Sequence, residues 1–377
     1  MIGSALAGIT ACTAHTNGDA PPPAPSAAGG GRDAPRAFTL VASGDVLPHS
    51  LIIDRASADA GGEGYDFVPM LKGVEPVVSE ADLAICHMET AYGENGDYTG
   101  YPSFKSPPQI AHALAATGYD ACSTASNHTL DDGAAGVRRT LGALDKAGVK
   151  HAGSGRTAAE GKSPAWLRAG GAKVAQLAYT YGTNDRPMPP GRPWAVNLME
   201  RERIVADARA ARKAGADVVV VSVHWGTEWQ DAPDHLQLSL GEQLTASSTQ
   251  GRPDIDLILG THAHVPQAYE KVNGTWVVYG MGDQIAGDMI NDEGANDPRG
   301  NQGTLGRFTF APPAATGGRW EVKKAEFIPQ WFNTATGRVT NLNAALAGGA
   351  DVRAVRDRIR RVVLSRGAGK DGLVTGE

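Results

Sequence analysis

The chain has 377 residues, with 35 Lys plus Arg against 41 Asp plus Glu and a formal net charge of -6, a length that allows one large α/β domain or two ordinary ones. No basic block runs through it, which argues against nucleic acid as a partner. Its 3 cysteines, Cys12, Cys86 and Cys122, form no CxxC pair, which removes zinc-knuckle and thioredoxin-type chemistry.

Residues 1–36 read as an anchor and a tether. Met1 to Ala11 is small and apolar, and Ile9-Thr10-Ala11-Cys12 resembles a lipobox, the site at which an exported bacterial lipoprotein is cleaved and lipidated on cysteine. No Lys or Arg precedes it, so the charged start of a signal peptide is missing, and the run is too short to span a bilayer. The competing reading is an incidental cysteine in a floppy segment. Thr13 to Pro35 is rich in Ala, Pro and Gly, the composition of a disordered tether.

From Ala37 short apolar runs recur, each followed by polar residues. Phe38 to Ser43 leads to Gly44-Asp45, Ala81 to Cys86 to His87-Met88-Glu89, and Tyr119 to Ser126 to Asn127-His128. Val174 to Tyr181 leads to Gly182-Thr183-Asn184, Val218 to Val223 to His224, Ile255 to Leu259 to Gly260-Thr261-His262, and Trp276 to Tyr279 to Gly280-Met281-Gly282-Asp283. Such runs suit strands buried on both faces. Helical patterns lie between them at Pro108 to Thr117, at Gly133 to Ala147 with Gly148 as a natural stop, and at Glu200 to Ala214. The alternation predicts an α/β fold with a parallel or mixed sheet and helices on its faces. Thr304 to Phe310 and Trp320 to Phe327 read as C-terminal antiparallel strands, Ala350 to Leu364 as a terminal helix, and the last residues as frayed. One domain is expected over residues 37–345, with the helix and tail over 346–377.

The strand ends carry the chemistry. Ligands of open α/β sheets bind at the C-terminal ends of strands, and that is where Asp45, Glu89, Asn127, His128, His224, His262 and His264 fall. In extended backbone His262 and His264 would point the same way, toward one metal cluster; two histidines satisfied within a loop is the plainer alternative. Asn127 offers a carbonyl oxygen. His128 can ligate or act as a general acid, with Asp131 orienting it or capping the next helix. A carboxylate such as Glu89 commonly bridges two ions, although a lone Asp or Glu is more often a cap or a surface charge. This mixed nitrogen and oxygen set suits two divalent transition metals, manganese, iron or zinc. His49 and His87 stand as secondary candidates, whereas His112, His151 and His235 read as surface or packing residues.

The ordered set Gly44-Asp45, Met88-Glu89, Asn127-His128-Thr129-Leu130-Asp131-Asp132-Gly133, His224-Trp225-Gly226-Thr227-Glu228 and Gly260-Thr261-His262-Ala263-His264-Val265 resembles bacterial CapA/PgsA-type capsule synthesis proteins over about Ala37 to Phe332. The resemblance implies a calcineurin-like metallophosphoesterase fold and a part in poly-γ-glutamate production. It implies a first metal held by Asp45 and His264, a bridging Glu89, a second metal held by Asn127, His224 and His262, and His128 as acid or transition-state stabiliser. Lys105, Asn184, Glu228 and Asp283 become substrate-side candidates. The chain departs from the family pattern in three places: His87 replaces an asparagine, Asp283 stands where an amide is usual, and Val46-Leu47 stand where ordinary metallophosphoesterases have a histidine ligand. The expectation is an exported, lipid-anchored protein on the outer face of the cytoplasmic membrane, or a secreted one. It would be a metal-dependent hydrolase acting on an anionic polymer or phosphoester, within a membrane polymer-synthase complex. A peptide epimerase using His128 and His87, or a scaffold without turnover, are the alternatives. Cys86 and Cys122 are expected as two buried free thiols, with a disulfide the alternative if their strands are neighbours.

Overall fold

The structure is a computed structural model that describes residues 1, 3, 4, 35–315 and 318–377. The expectations for Cys12 and the lipobox, and for the tether up to residue 34, lie outside the described residues. Ala34–Glu377 forms one compact unit. No helix among the described residues is long and apolar enough to cross a membrane.

Fifteen strands and six helices position the site. In chain order they are β1 (Phe38–Val46), α1 (Ser50–Asp59), β2 (Leu83–Met88), α2 (Gln109–Thr117), β3 (Ala121–Ser123), α3 (Gly133–Ala147), β4 (Lys150–Ala152), β5 (Ala165–Ala169), β6 (Ala172–Thr180), α4 (Arg201–Lys213), β7 (Val218–His224), α5 (His235–Thr245), β8 (Leu257–Thr261), β9 (Tyr269–Val272), β10 (Thr275–Val278), β11 (Asp283–Ile285), β12 (Gln302–Ala311), β13 (Glu321–Asn333), β14 (Arg338–Asn341), α6 (Arg353–Val363) and β15 (Leu373–Thr375). The α/β class, the mixed sheet with flanking helices, the antiparallel C-terminal strands and the terminal helix are all present. The strands, however, divide between two sheets. One runs β14-β13-β12-β1-β2-β3-β4, with β11 also on β1 and β15 on β13; the other runs β9-β10-β8-β7-β6-β5.

The division follows from side-chain alternation. Leu40 and Ala42 of β1 join Val218 and Val220 of β7 and Leu257 and Leu259 of β8 in one core between the sheets. The intervening Val41 packs with Ile52 of α1 and Ile110 and Leu114 of α2. Val219 and Val221 pack with Ile204 and Ala208 of α4 and Leu244 of α5. The result is helix, sheet, sheet, helix. Both faces of each inner strand are covered, which is why these runs are mostly apolar.

α3 matches its expected span, and Gly148 at φ 81° ends it. Two expectations fail. The tail is not frayed, because Leu373–Thr375 pairs parallel with Ala325–Phe327 of β13. Cys86 and Cys122 are not free thiols. They stand opposite each other on adjacent parallel strands and form a disulfide.

Candidate metal centre

The parallel strands β1, β2, β3, β7 and β8 deliver their C-terminal ends to one edge. A close approach shapes this edge. The Asp45 amide donates to the Gly282 carbonyl at 3.0 Å, and a Cβ on Gly44 would stand 1.7 Å from that same oxygen. Only glycine lets the chain at Gly282 come so near, and the contact sets Asp283 beside Asp45 in the β1–β11 register.

Four of the imidazoles, those of His87, His128, His224 and His264, are held by a hydrogen-bond partner. His224 sits between Thr261 Oγ1 at 3.0 Å from its Nδ1 and Asn127 Oδ1 at 2.9 Å from its Nε2. The His87 Nδ1 is hydrogen-bonded to Ser123 Oγ at 2.7 Å, and its ring stacks on His224 with centroids 4.7 Å apart. His264 Nδ1 donates to Asp283 Oδ1 at 3.0 Å. His128 Nδ1 donates to Asp131 Oδ2 at 2.7 Å, and the same oxygen accepts the Phe104 amide at 2.7 Å. Asp131 therefore orients the imidazole; Asp132, not Asp131, occupies the helix-cap position.

The His262 and His264 geometry differs from the extended pair expected. β8 ends at Thr261, and His262 and His264 have φ of 95° and 57°. The left-handed turns, not strand alternation, aim the two rings. The His262 amide donates to Asp45 Oδ2 at 3.0 Å, which ties this loop to β1.

Three groups of ligand-type atoms lie together: Asp45, His87, Glu89 and His224; Glu89, His262 and His264; and Asp45, His264 and Asp283. Within each group the ligand atoms are within 4.8 Å of one another. Asp45 Oδ1, both Glu89 carboxylate oxygens, His87 Nε2, His262 Nδ1 and Asp283 Oδ2 are buried without a hydrogen-bond partner. An unsatisfied buried polar atom costs roughly 1–3 kcal/mol, more when charged, so this many in one place needs compensation. Divalent cations fit the donor set: carboxylate oxygens, imidazole nitrogens and the Asn127 carbonyl.

The electrostatics point the same way. Burial, and then the Asp283 carboxylate, pushes Asp45 well above the usual carboxylate range. Burial and Asp45 do the same to Glu89. Burial, then His262 and His87, hold His224 well below the imidazole range, and burial lowers His87 to about 3. His264 is the exception: burial opposes its charge, but the adjacent Asp283 carboxylate prevails and raises it. Ligation needs neutral imidazoles and ionised carboxylates: His87 and His224 are held in the ligating form, whereas a bound cation would displace protons from Asp45, Glu89 and His264.

A cavity of about 470 Å³ opens beside this cluster, lined by His49, His128, Glu228, Trp229, His264 and Asp288 among others. Tyr101, 74% exposed, stands at its rim. Asp292 also lines it, and its lining holds no Lys or Arg. Burial, and then His264, lowers the half-buried His49 to about 4.

Not every expected residue converges. Lys105 pairs with Asp97 instead of lining the cavity. Asn184 lies outside the cavity and accepts from Tyr181 Oη at 3.3 Å. Glu228 lines the cavity, 3.9 Å from His262 Nε2. Asp283 cannot touch substrate, since it is 0% exposed and lies against Asp45 and His264. His87, a secondary candidate, is inside the cluster. Tyr181, whose ring centroid is 4.5 Å from that of His262, was not singled out by sequence; its place directly after the β6 run is the signal that could have found it.

The chain resembles known proteins. It is 25% identical to the PGA biosynthesis protein CapA of Bacillus subtilis (strain 168) over 220 residues, covering 56% of this chain and 55% of that one. It is 24% identical to a probable polyglutamine synthesis accessory protein of Mycobacterium tuberculosis (strain H37Rv) over 297 residues, covering 74% and 72%. The chain thus spans about half the length of the first of these relatives. A similar solved structure is the calcineurin-like phosphoesterase YfkN from Bacillus subtilis, 15% identical with a TM-score of 0.47, covering 87% of this chain and 100% of that chain. Residues 39–288, which hold the whole cluster, match the family described as bacterial capsule synthesis protein PGA_cap, and the chain belongs to that family.

Proposed function

We propose that the chain is an exported, lipid-anchored, two-metal enzyme of poly-γ-glutamate or related capsule polymer synthesis, acting beside a membrane polymer synthase. The observation that carries this reading is the convergence of buried, unpartnered carboxylate and imidazole atoms on one strand edge. Divalent ions bound there supply Lewis-acid polarisation of a phosphoryl or carbonyl oxygen and activation of water. The protein's own part is positional. Asp45, Glu89, Asn127, His87, His224, His262 and His264 present the donor atoms. With Nδ1 committed to Asp131, the proton that His128 gives or takes is at Nε2. Phe104, whose ring meets the His128 ring edge-on at 4.7 Å, helps exclude water there.

Glu228, Asp288 and Asp292 line the cavity without a basic partner in the lining, so an anionic substrate, polymer or phosphoester, would depend on the bound cations to offset their repulsion. The epimerase alternative would need His87 to reach substrate opposite His128. Its burial at 2% exposure under the His224 ring argues against that role. The disulfide supports an oxidising, extracytoplasmic setting, and the anchor in this reading is a lipid on Cys12.

The test is metal analysis of purified protein alongside His264→Ala. Two equivalents of transition metal in the wild type, falling sharply in the variant, are expected; no metal in either ends this reading. Hydrolysis of poly-γ-glutamate against a generic phosphodiester then separates the bond classes.

A further inference from the structure

The end of β1 poses a local problem of charge. Asp45 is fully buried, and the residues that follow it, Val46 and Leu47, are apolar and buried. Neither offers a donor atom to anything at Asp45. Yet Asp45 Oδ1 has no hydrogen-bond partner. The neighbouring strand brings a second buried carboxylate to the same place, since Asp283 of β11 pairs in register with Asp45.

The two oxygens of Asp283 differ. Oδ1 accepts the hydrogen bond from His264 Nδ1 at 3.0 Å. Oδ2 is buried and unpartnered. A carboxylate whose whole role was to orient His264 would need only the first oxygen. Asp283 also belongs to a group in which one ligand atom each of Asp45, His264 and Asp283 falls within 4.8 Å of the others. Two free carboxylate oxygens beside an imidazole, closed off from water, form an oxygen-rich cation site.

We propose that Asp283 is itself a metal ligand, supplying Oδ2 to the ion that Asp45 holds. This rests on the two-metal reading above and deepens it. The centre then carries three carboxylates, Asp45, Glu89 and Asp283, instead of two. The extra negative charge falls on the Asp45 side, so that ion gains a donor that β1 itself does not provide.

Asp283→Asn isolates the claim. The amide oxygen can still accept from His264 Nδ1, so the orientation of that ring is kept. The free oxygen becomes an NH₂ group, which donates hydrogen bonds and cannot ligate. The readouts are metal content after dialysis and calorimetric titration of the metal-free protein with Mn²⁺ and with Zn²⁺. The expected result is two equivalents in the wild type, and in the variant one equivalent retained with the other weakened more than about a hundredfold, beyond what loss of an outer-shell partner costs. If the variant binds two equivalents with affinities within about a hundredfold of wild type, Asp283 acts only through His264 and the proposal falls. A wild type that binds no ion instead removes the two-metal reading itself. Should the amide variant not fold, Asp283→Ser, which withdraws the side chain from Asp45 and leaves a hydroxyl for His264, is read in the same way.

Discussion

The Cys86–Cys122 disulfide offers a quantitative test of the strand register. The bond joins residues 36 apart in sequence. Closing a loop of that length removes unfolded-state entropy worth roughly 4 kcal/mol at 25 °C in the chain-entropy relation. Both half-cystines are buried, at 1% and 0% exposure, so reductant reaches the bond through the unfolded chain. Equilibrium urea unfolding of metal-free wild type, with and without a phosphine reductant, therefore isolates the effect without altering native packing. The buried Trp225 provides the fluorescence signal. The reduced arm is expected to be less stable by roughly 4 kcal/mol, and its Tm lower by roughly 5 °C for a unit of this length. A Cys86→Ala/Cys122→Ala double variant should show no response to reductant. Coincident wild-type curves, or free thiols at both Cys86 and Cys122 in denaturant without reductant, would refute the pairing of β2 with β3 at this register.

Two further outcomes follow from the hydrogen bonds and charges of the site. Asp131→Asn should lower turnover by roughly 10²–10⁴ while metal content stays at the wild-type level, because it weakens the charge-assisted bond that fixes the proton on His128 Nδ1; an unchanged kcat at unchanged metal content would remove His128 from the chemistry. His49, lowered by burial to about 4 from 6.5, binds fewer protons folded than unfolded between those values. Its contribution is thus fully present above pH 6.5 and lost as pH falls toward 4, so metal-free wild type should lose up to about 3 kcal/mol relative to His49→Gln across that window. Parallel stability profiles for the two proteins would contradict this.

The sequence was most legible where a signal is local. α3 runs from Gly133 to Ala147 as its periodicity and Gly148 require. The strand ends at Asp45, Glu89, Asn127, His224 and His262 do meet, because parallel strands share one direction. What escaped was set by non-local pairing. β11 has only three residues, and its place beside β1 depends on the approach of Gly282 to Gly44. Asp283 therefore looked like a surface contact until its burial was known. The disulfide depended on β2 lying next to β3, and the split into two sheets on which apolar face meets which. β15 escaped because three residues make no recognisable pattern. The pair His262 and His264 shows a different limit: spacing predicted convergence, but for the wrong reason, since the backbone turns left-handed at both.

That turn has a consequence for how the protein can change. A non-glycine residue held at positive φ costs of the order of 1 kcal/mol or more, and glycine or asparagine relieves much of it. Positions 262 and 264 are therefore places where stability and chemistry pull apart. A library of variants selected only for heat resistance would drift toward glycine or asparagine at both, and would discard the imidazoles while improving the scaffold. Selection for function has to hold the two histidines against that drift. Persistence of histidine at 262 and 264 is thus a more sensitive marker of a working centre than retention of the surrounding strands, which the core would preserve in an inert descendant.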